Sequence, residues 1–412
     1  MSPLADFRKS NSCITLSDDN AWNQPSNRSC SHNTRTERVI IPPTSVFEPM
    51  RKQRISVYTG PGSSNSWVWL ADFFEKYGFF NIRFCSSPND FLRSSRRAIL
   101  IMPGGDTFAI ANSFGEDGLR AMGKSIAEGA IYIGICAGAY LPLRTTIPPL
   151  SAFNLVDLKI KNISSSLPEG LKDAERYSLP YGCGYIFHPV RGPVRLKGEQ
   201  ELVAPLYGGP MMISARGAAK SRLKFEGLTE ASEILIEREL CERTVVGAAA
   251  CIESPYGDGK LLLISPHLEH PEYAAANDYF AHLISECDCI ERFEPSADGL
   301  DTVAAADLRK VIADLRVAAS GTESISWKIG IKYWESEKLL FFIDAARRRL
   351  DELRKANTDF HPPADSLRSF MAALAKLRTA VAKPAELQEV IDNLSEGAST
   401  FLNAYFSHKM SV

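Results

Sequence analysis

The sequence predicts an α/β chain, a mostly parallel sheet with helices on both faces, continued by an all-helical C-terminal region. Three observations predict it. From Arg54 onward, short apolar runs alternate with stretches of helical period, the pattern of strands joined by crossover helices. One run, Ala130 to Ile135, is apolar at nearly every position, as a strand covered on both faces must be. After Pro295 the strand texture disappears, and apolar residues recur at spacings of three and four to the end.

Taken in order, residues 1–53 hold eight Ser and five Asn with few apolar residues and no sustained period. Such a segment cannot bury enough surface to offset its ordering entropy, so a disordered tail is expected there. An α/β domain is expected over 54–290 and a helical bundle over 300–412. Ile55 to Tyr58 reads as the first strand and Gly60-Pro61-Gly62 as a turn. A helix from about Ser66 then carries Trp67, Leu70, Phe73 and Phe74 on one face and stops at Gly78. Ile82 to Cys85 is the second strand, and Ala98 to Met102 the third, ending in Pro103-Gly104-Gly105-Asp106. A helix to about Glu128, closed by Gly129, leads into the strand ending at Ile135, and Ala137 to about Leu143 reads as the next helix.

From Pro148 to Ser265 the pattern is irregular and strand-rich. Its clearest element is a hairpin with arms Val245 to Glu253 and Lys260 to Ser265. Pro271 suits the first position of a helix running to about Glu286. Four apolar stripes follow, marked by Leu308 to Leu315, Leu339 to Leu353, Leu367 to Leu377 and Leu387 to Tyr405. Four amphipathic helices suggest a small bundle. Within the second, Arg347, Arg348 and Arg349 have acidic neighbours at helical spacing and read as a solvated face.

Composition excludes several functions. Lys and Arg number 47 against 49 Asp and Glu, a net charge of −2, which offers no electrostatic case for a nucleic acid or an anionic membrane. No apolar run reaches the ~20 residues of a membrane span. The N-terminal 53 residues lack the apolar core of a secretory signal, so a cytoplasmic location is expected. Nine scattered cysteines are no disulfide framework. Cys287-Asp288-Cys289 with His282 matches no zinc spacing. The loop Gly60 to Ser66 lacks the lysine of a phosphate cradle and reads as a turn on the active-site edge. No metal and no cofactor is called for.

Chemistry concentrates at Gly134-Ile135-Cys136-Ala137-Gly138, where the apolar strand meets a helix. This is a G-x-nucleophile-x-G elbow, in which glycines permit a sharp turn that exposes the middle side chain. The helix start favours thiolate. Gly104 and Gly105 leave a neighbouring strand on the same edge, so their amides and that of Ala137 are candidate oxyanion donors. A cysteine nucleophile usually needs a histidine base oriented by a third group. Two His-x-Glu units stand just after the strand ending at Ser265. His267 with Glu269 is the first choice and His270 with Glu272 the second. Tyr207-Gly208-Gly209 reads as a further pocket turn.

These strings carry a resemblance. The order of PGG loop, GICAG elbow and late SPHLE resembles the class I glutamine amidotransferase-like fold. Gly134 to Tyr140, with Val57 to Gly62 and Tyr207-Gly208-Gly209, is similar to the biotin-protein-ligase N-terminal-domain family. The resemblance spans about residues 54–290. It implies a flavodoxin-like three-layer sandwich and a triad of Cys136, His267 and Glu269 acting on an amide or related acyl bond. Its pocket positions would be Gly104, Gly105, Ala137, Tyr140, Gly208 and Gly209. Typical glutamine amidotransferases carry Gln where this chain has Tyr140, and His-Pro-Glu where it has His267-Leu268-Glu269. The C-terminal helical stretch is too short for an ammonia-accepting synthetase domain, and no adenylate loop of a ligase follows.

The expected function is therefore a cysteine hydrolase or amidotransferase-like enzyme taking a small-molecule or peptide-like substrate. Two alternatives stand beside it. One is a non-catalytic small-molecule-binding module of the same fold; the other is a scaffold that recruits a protein partner, or itself, through the C-terminal helices.

Overall fold

The structure, a computed structural model, describes residues 54–93, 98–161, 190–214, 219–234, 237–287, 301–323, 326–329, 332–380 and 386–411. The expected tail, residues 1–53, lies outside the described residues, as do Asp288 and Cys289.

The first half is a run of crossovers: β1 (Ile55–Tyr58), α1 (Trp67–Tyr77), β2 (Ile82–Cys85), α2 (Pro88–Arg93), β3 (Ile99–Met102), α3 (Thr107–Ala127), β4 (Ile131–Ile135) and α4 (Ala137–Tyr140). Strands β1, β3 and β4 are buried at every position, because helices cover both faces of the sheet. Local chemistry sets the helix ends. Asp106 caps α3, its carboxylate accepting from the amides of Phe108 and Ala109 at 3.0 and 3.1 Å. Gly78 closes α1 in the left-handed conformation.

The middle is strand-rich as expected: β5 (Leu158–Ile160), β6 (Val190–Lys197), β7 (Glu201–Leu206), β8 (Met212–Ser214), β9 (Lys220–Leu228), β10 (Glu233–Ile234), α5 (Arg238–Val245), β11 (Ala249–Tyr256), β12 (Gly259–Ile264) and α6 (Ala274–Ser285). All strands of both halves form one sheet. Its parallel part has the order β2-β1-β3-β4-β12. From β12 the sheet continues antiparallel through β11, β9, β6 and β10, with β7 beside β6, β8 beside β11 and β5 beside β8. The α/β sandwich with a parallel central sheet is thus the observed architecture. Among the described residues no helix is long and apolar enough to cross a membrane.

Two details depart from the expected elements. Val245 ends a helix rather than opening the hairpin; the amide of Val246 donates to Glu242 O at 2.8 Å, so the helical bonds carry through this β-branched pair. Pro271 and Glu272 stand in a turn ahead of α6, held there by Asn277, whose amide donates to the carbonyls of Leu268 and His270 at 2.8 and 2.9 Å.

The C-terminal region holds the four expected helices: α7 (Ala305–Ser320), α8 (Ser336–Lys355), α9 (Ala364–Ala380) and α10 (Leu387–Ser411). A hairpin unseen in the periodicity, β13 (Ser326–Ile329) with β14 (Lys332–Glu335), precedes α8. Alternating strand residues face opposite layers. Ile99 and Ile101 share an apolar cluster with α1, α6 and the C-terminal helices, while Leu100 and Met102 face α3. The helical region therefore packs on the α1 layer of the sandwich. Trp67 anchors it, its indole N–H donating to Ser395 Oγ at 3.2 Å, and that hydroxyl donating to Thr59 O at 2.8 Å. At the sheet edge, Asn403 of α10 pairs with both backbone groups of Phe84 at 2.8 Å. This side chain occupies hydrogen-bonding positions a further strand would otherwise take.

One expectation is corrected here. Arg347 sits on the polar face with Asp344 and Asp351, as read. Arg349 does not: it is 1 % exposed and pairs with Asp72 and Glu75 of α1. Its partners lie in another layer, so nothing in the local helical spacing could reveal them.

Candidate active site

The register of β3, β4 and β12 assembles the site. Met102 lies opposite Gly134, and Ile264 opposite Ile135. The three segments that follow, Pro103 to Asp106, Cys136 to Gly138 and Ser265 to His270, therefore leave one carboxyl edge side by side. Cys136 has φ 52° and ψ −106°, a positive-φ conformation rare for a residue with a side chain. Its amide is fixed to Ile264 O at 2.8 Å, and helix α4 starts at once behind it.

The flanking glycines are demanded by space. A Cβ on Gly134 would stand 2.4 Å from Gly138 O, and one on Gly138 would stand 2.1 Å from Met102 O. Buried Tyr132 braces the turn by donating to Gly138 O at 2.7 Å. The elbow read from the sequence is the observed backbone. The helix behind it is shorter than expected, ending at Tyr140, because Leu141 to Leu143 form a turn.

His267 is 3 % exposed and hydrogen-bonds Cys136. Its Nδ1 lies 2.7 Å from Glu269 Oε1, a carboxylate fully buried at 0 %. Burial pulls the imidazole toward neutrality, but the Glu269 charge and the hydrogen bonds to Cys136 and Glu269 outweigh it. The His267 pKa is pushed up to about 10. Chemically, this arrangement can hold a proton on the imidazole while leaving a thiolate beside it.

His270 occupies a different environment. Its Nδ1 faces the backbone amide of Glu272 at 3.4 Å, and its ring stands edge-on to Trp69 at 4.5 Å. Burial and the neighbouring His267 charge lower its pKa, so it stays neutral. The structure thus brings Cys136, His267 and Glu269 together and sets His270 with Glu272 beside them.

A cavity of about 290 Å³ opens over this cluster, and Gly104, Gly105, Cys136 and His267 line it. A Cβ on Gly104 would lie 2.9 Å from His267 Cε1 and 3.5 Å from Cys136 Cβ, so the loop is pressed against both. Ala137, Tyr140, Gly208 and Gly209 are not among the lining residues. Tyr140 instead donates its hydroxyl to Gly208 O at 3.1 Å, tying the elbow helix to the 207–209 turn. Gly209 packs so closely on Ser265 that a Cβ would lie 1.9 Å from its carbonyl oxygen. That turn presents Tyr207 to the cavity.

The loop read as a turn on the active-site edge supplies Ser64, Asn65 and Ser66 to the wall. Sequence reasoning missed other parts of it: Trp69 comes from the start of α1 and Arg191 from β6. Trp334, Glu337 and Phe341 come from the C-terminal region. Trp69 carries a weak local signal, since it stands off the stripe set by Trp67, Leu70 and Phe74. The remaining wall residues carry none, because sheet topology and long-range packing bring them in.

The strand–turn–helix at Cys136 and the buried His267–Glu269 pair thus stand together at one edge of an α/β sheet, and comparison with known proteins finds similarity over part of the chain. Residues 88–145, from α2 through the Cys136 elbow, match the family described as "Biotin-protein ligase, N terminal". Over that stretch the chain is related to this family. No curated protein matches the chain.

Among solved structures, a GMP synthase subunit from Thermoplasma acidophilum is 11% identical. It covers 57% of this chain and 94% of its own, with a TM-score of 0.34. A glutamine amidotransferase is 13% identical, covering 56% of this chain and 98% of its own at a TM-score of 0.32. A beta-galactosidase from Bacillus circulans sp. alkalophilus is 10% identical, covering 61% and 34% at a TM-score of 0.32.

Proposed function

We propose that the protein is a cysteine-nucleophile acyl-transfer enzyme, a hydrolase or amidotransferase-like catalyst acting on an amide or related acyl bond. The observation that carries this reading is Cys136 at a positive-φ elbow, hydrogen-bonded to His267, whose other nitrogen meets buried Glu269 at 2.7 Å.

In this reading the Cys136 thiolate attacks the substrate carbonyl carbon. The carbonyl oxygen becomes an oxyanion received by the amides of Ala137 and Gly105. As a helix-start amide, that of Ala137 has no acceptor within α4. The bond to the leaving group then breaks, and the leaving group takes the proton from His267. A thioester remains on Cys136. Water or an amine attacks it while His267 takes the incoming proton, and collapse releases the acyl product and restores the thiolate. Glu269 holds the imidazole in place and supports its charge throughout. The acyl substrate is a small molecule or a peptide-like group that fits a cavity of about 290 Å³.

The test is to trap the thioester. With p-nitrophenyl acetate as donor, intact mass should show one acetyl group per chain, and peptide mapping should place it on Cys136. Cys136→Ala should show none. Acetylation spread over several cysteines, or persisting in Cys136→Ala, would refute the assignment.

A further inference from the structure

The cavity above Cys136 is walled by two parts of the chain that are distant in sequence. Trp69 comes from α1 and Tyr207 from the turn after β7, while Trp334 and Phe341 come from β14 and α8. The rings form one aromatic lining. Phe341 stands edge-on to Trp69 at 5.9 Å and 84°, and Tyr207 lies 6.3 Å from Trp69. Trp69 also packs edge-on against His267 at 5.3 Å. The lining therefore reaches the reacting groups.

The charges on the same wall cancel. Lys338 pairs with Glu335 at 3.1 Å. Arg191 and Glu337 bring one formal charge of each sign to the cavity lining. Neutral His270 adds an aromatic face and no charge. A wall of this kind offers dispersion and ring contacts but no surplus charge of either sign.

Resting on the reading of Cys136 as nucleophile, we propose that the site selects an uncharged acyl group bearing a planar apolar substituent, which packs against the aromatic wall that Trp69 of the sandwich and Phe341 of the C-terminal region form together. The helical region is then part of the substrate site. Arg349 fixes this geometry by tying α8, which carries Phe341, to α1, which carries Trp69.

Three probes with one electrophile test the aromatic wall on the full chain: iodoacetamide, N-benzyl-iodoacetamide and N-(2-aminoethyl)iodoacetamide. Labelling of Cys136 is followed by peptide mass, and the ratio of each substituted probe to iodoacetamide is read within each variant. A general change in thiol reactivity cancels in such a ratio. The benzyl ratio should reach about tenfold or more, the scale of partial burial of one aromatic ring. The aminoethyl ratio should stay near one. Phe341→Ala should bring the benzyl ratio to within about twofold of unity, and Phe341→Tyr should keep it, which separates loss of the ring from loss of the fold. A benzyl ratio near one in the unaltered protein would overturn the proposal. So would a ratio indifferent to Phe341→Ala, or a preference for the aminoethyl probe. If iodoacetamide itself labels Cys136 no faster than Cys251, the nucleophile reading falls, while a benzyl ratio lost in Phe341→Ala still supports the aromatic wall as the substituent's site.

Discussion

Replacing Arg349 with alanine should lower the free energy of unfolding by about 3 kcal/mol, read as a shift of the urea midpoint with an unchanged slope. The guanidinium lies 3.0 Å from Asp72 Oδ1 and 2.8 Å from Glu75 Oε2, and its side chain is 2% exposed. Removing one partner of a buried ion pair costs about 3–5 kcal/mol, because the other charge stays behind uncompensated. The low end applies because Asp72 and Glu75 are 19% and 26% exposed and so keep some contact with water. Asp72 also retains Arg348 at 2.8 Å, so the loss falls mainly on Glu75, which among the described residues keeps the hydroxyl of Tyr405. Arg349→Lys should recover part of the loss, since a single ammonium replaces a planar fork that spans both carboxylates.

Replacing His267 with glutamine should reduce turnover of p-nitrophenyl acetate by about 10²–10⁴-fold, the range supplied by a positioned acid and base. Glutamine can keep a hydrogen bond but cannot carry the proton to the leaving group or take it from the incoming nucleophile. The pH profile adds a sign that a structural role would not produce. The His267 pKa is raised to about 10, with the Glu269 charge the largest cause acting upward. The imidazole therefore holds its proton through neutral pH, and activity should fall as pH rises through about 10. Glu269→Gln removes that support, so the falling limb should move down by about one pH unit or more. An alkaline limb unmoved by Glu269→Gln would mean that another group controls it.

What the sequence revealed follows the range of the interactions. The elbow was legible because its causes are local. Gly134 and Gly138 are dictated by contacts within the strand–turn–helix unit and the strand beside it, and Cys136 stands between them. The pairing of His267 with Glu269 was legible for the same reason, two residues apart at a strand end. The four C-terminal helices were legible from period alone, since each buries one stripe. Arg349 was misread because its local neighbours satisfied the pattern of a solvated face while its partners lay on α1. Trp334 and Phe341 escaped because the docking of the helical region on the α1 layer, which no motif announces, brings them over Cys136. Val245 was placed at the start of the hairpin arm, but the helix Arg238–Val245 runs through it and the arm begins at Ala249.

The nucleophile is tested most directly by labelling every cysteine of the native protein at once with a limiting amount of iodoacetamide at pH 6, followed by peptide mapping. A free thiol is almost wholly protonated at that pH. Burial drives the Cys241 pKa up to about 12 and that of Cys251 higher still. Cys136, beside a protonated His267, should take nearly all the label, at about ten times the rate of any other described cysteine or more. Labelling of Cys136 at the rate of Cys241 and Cys251, rising with pH as an ordinary thiol does, would contradict its assignment as the nucleophile.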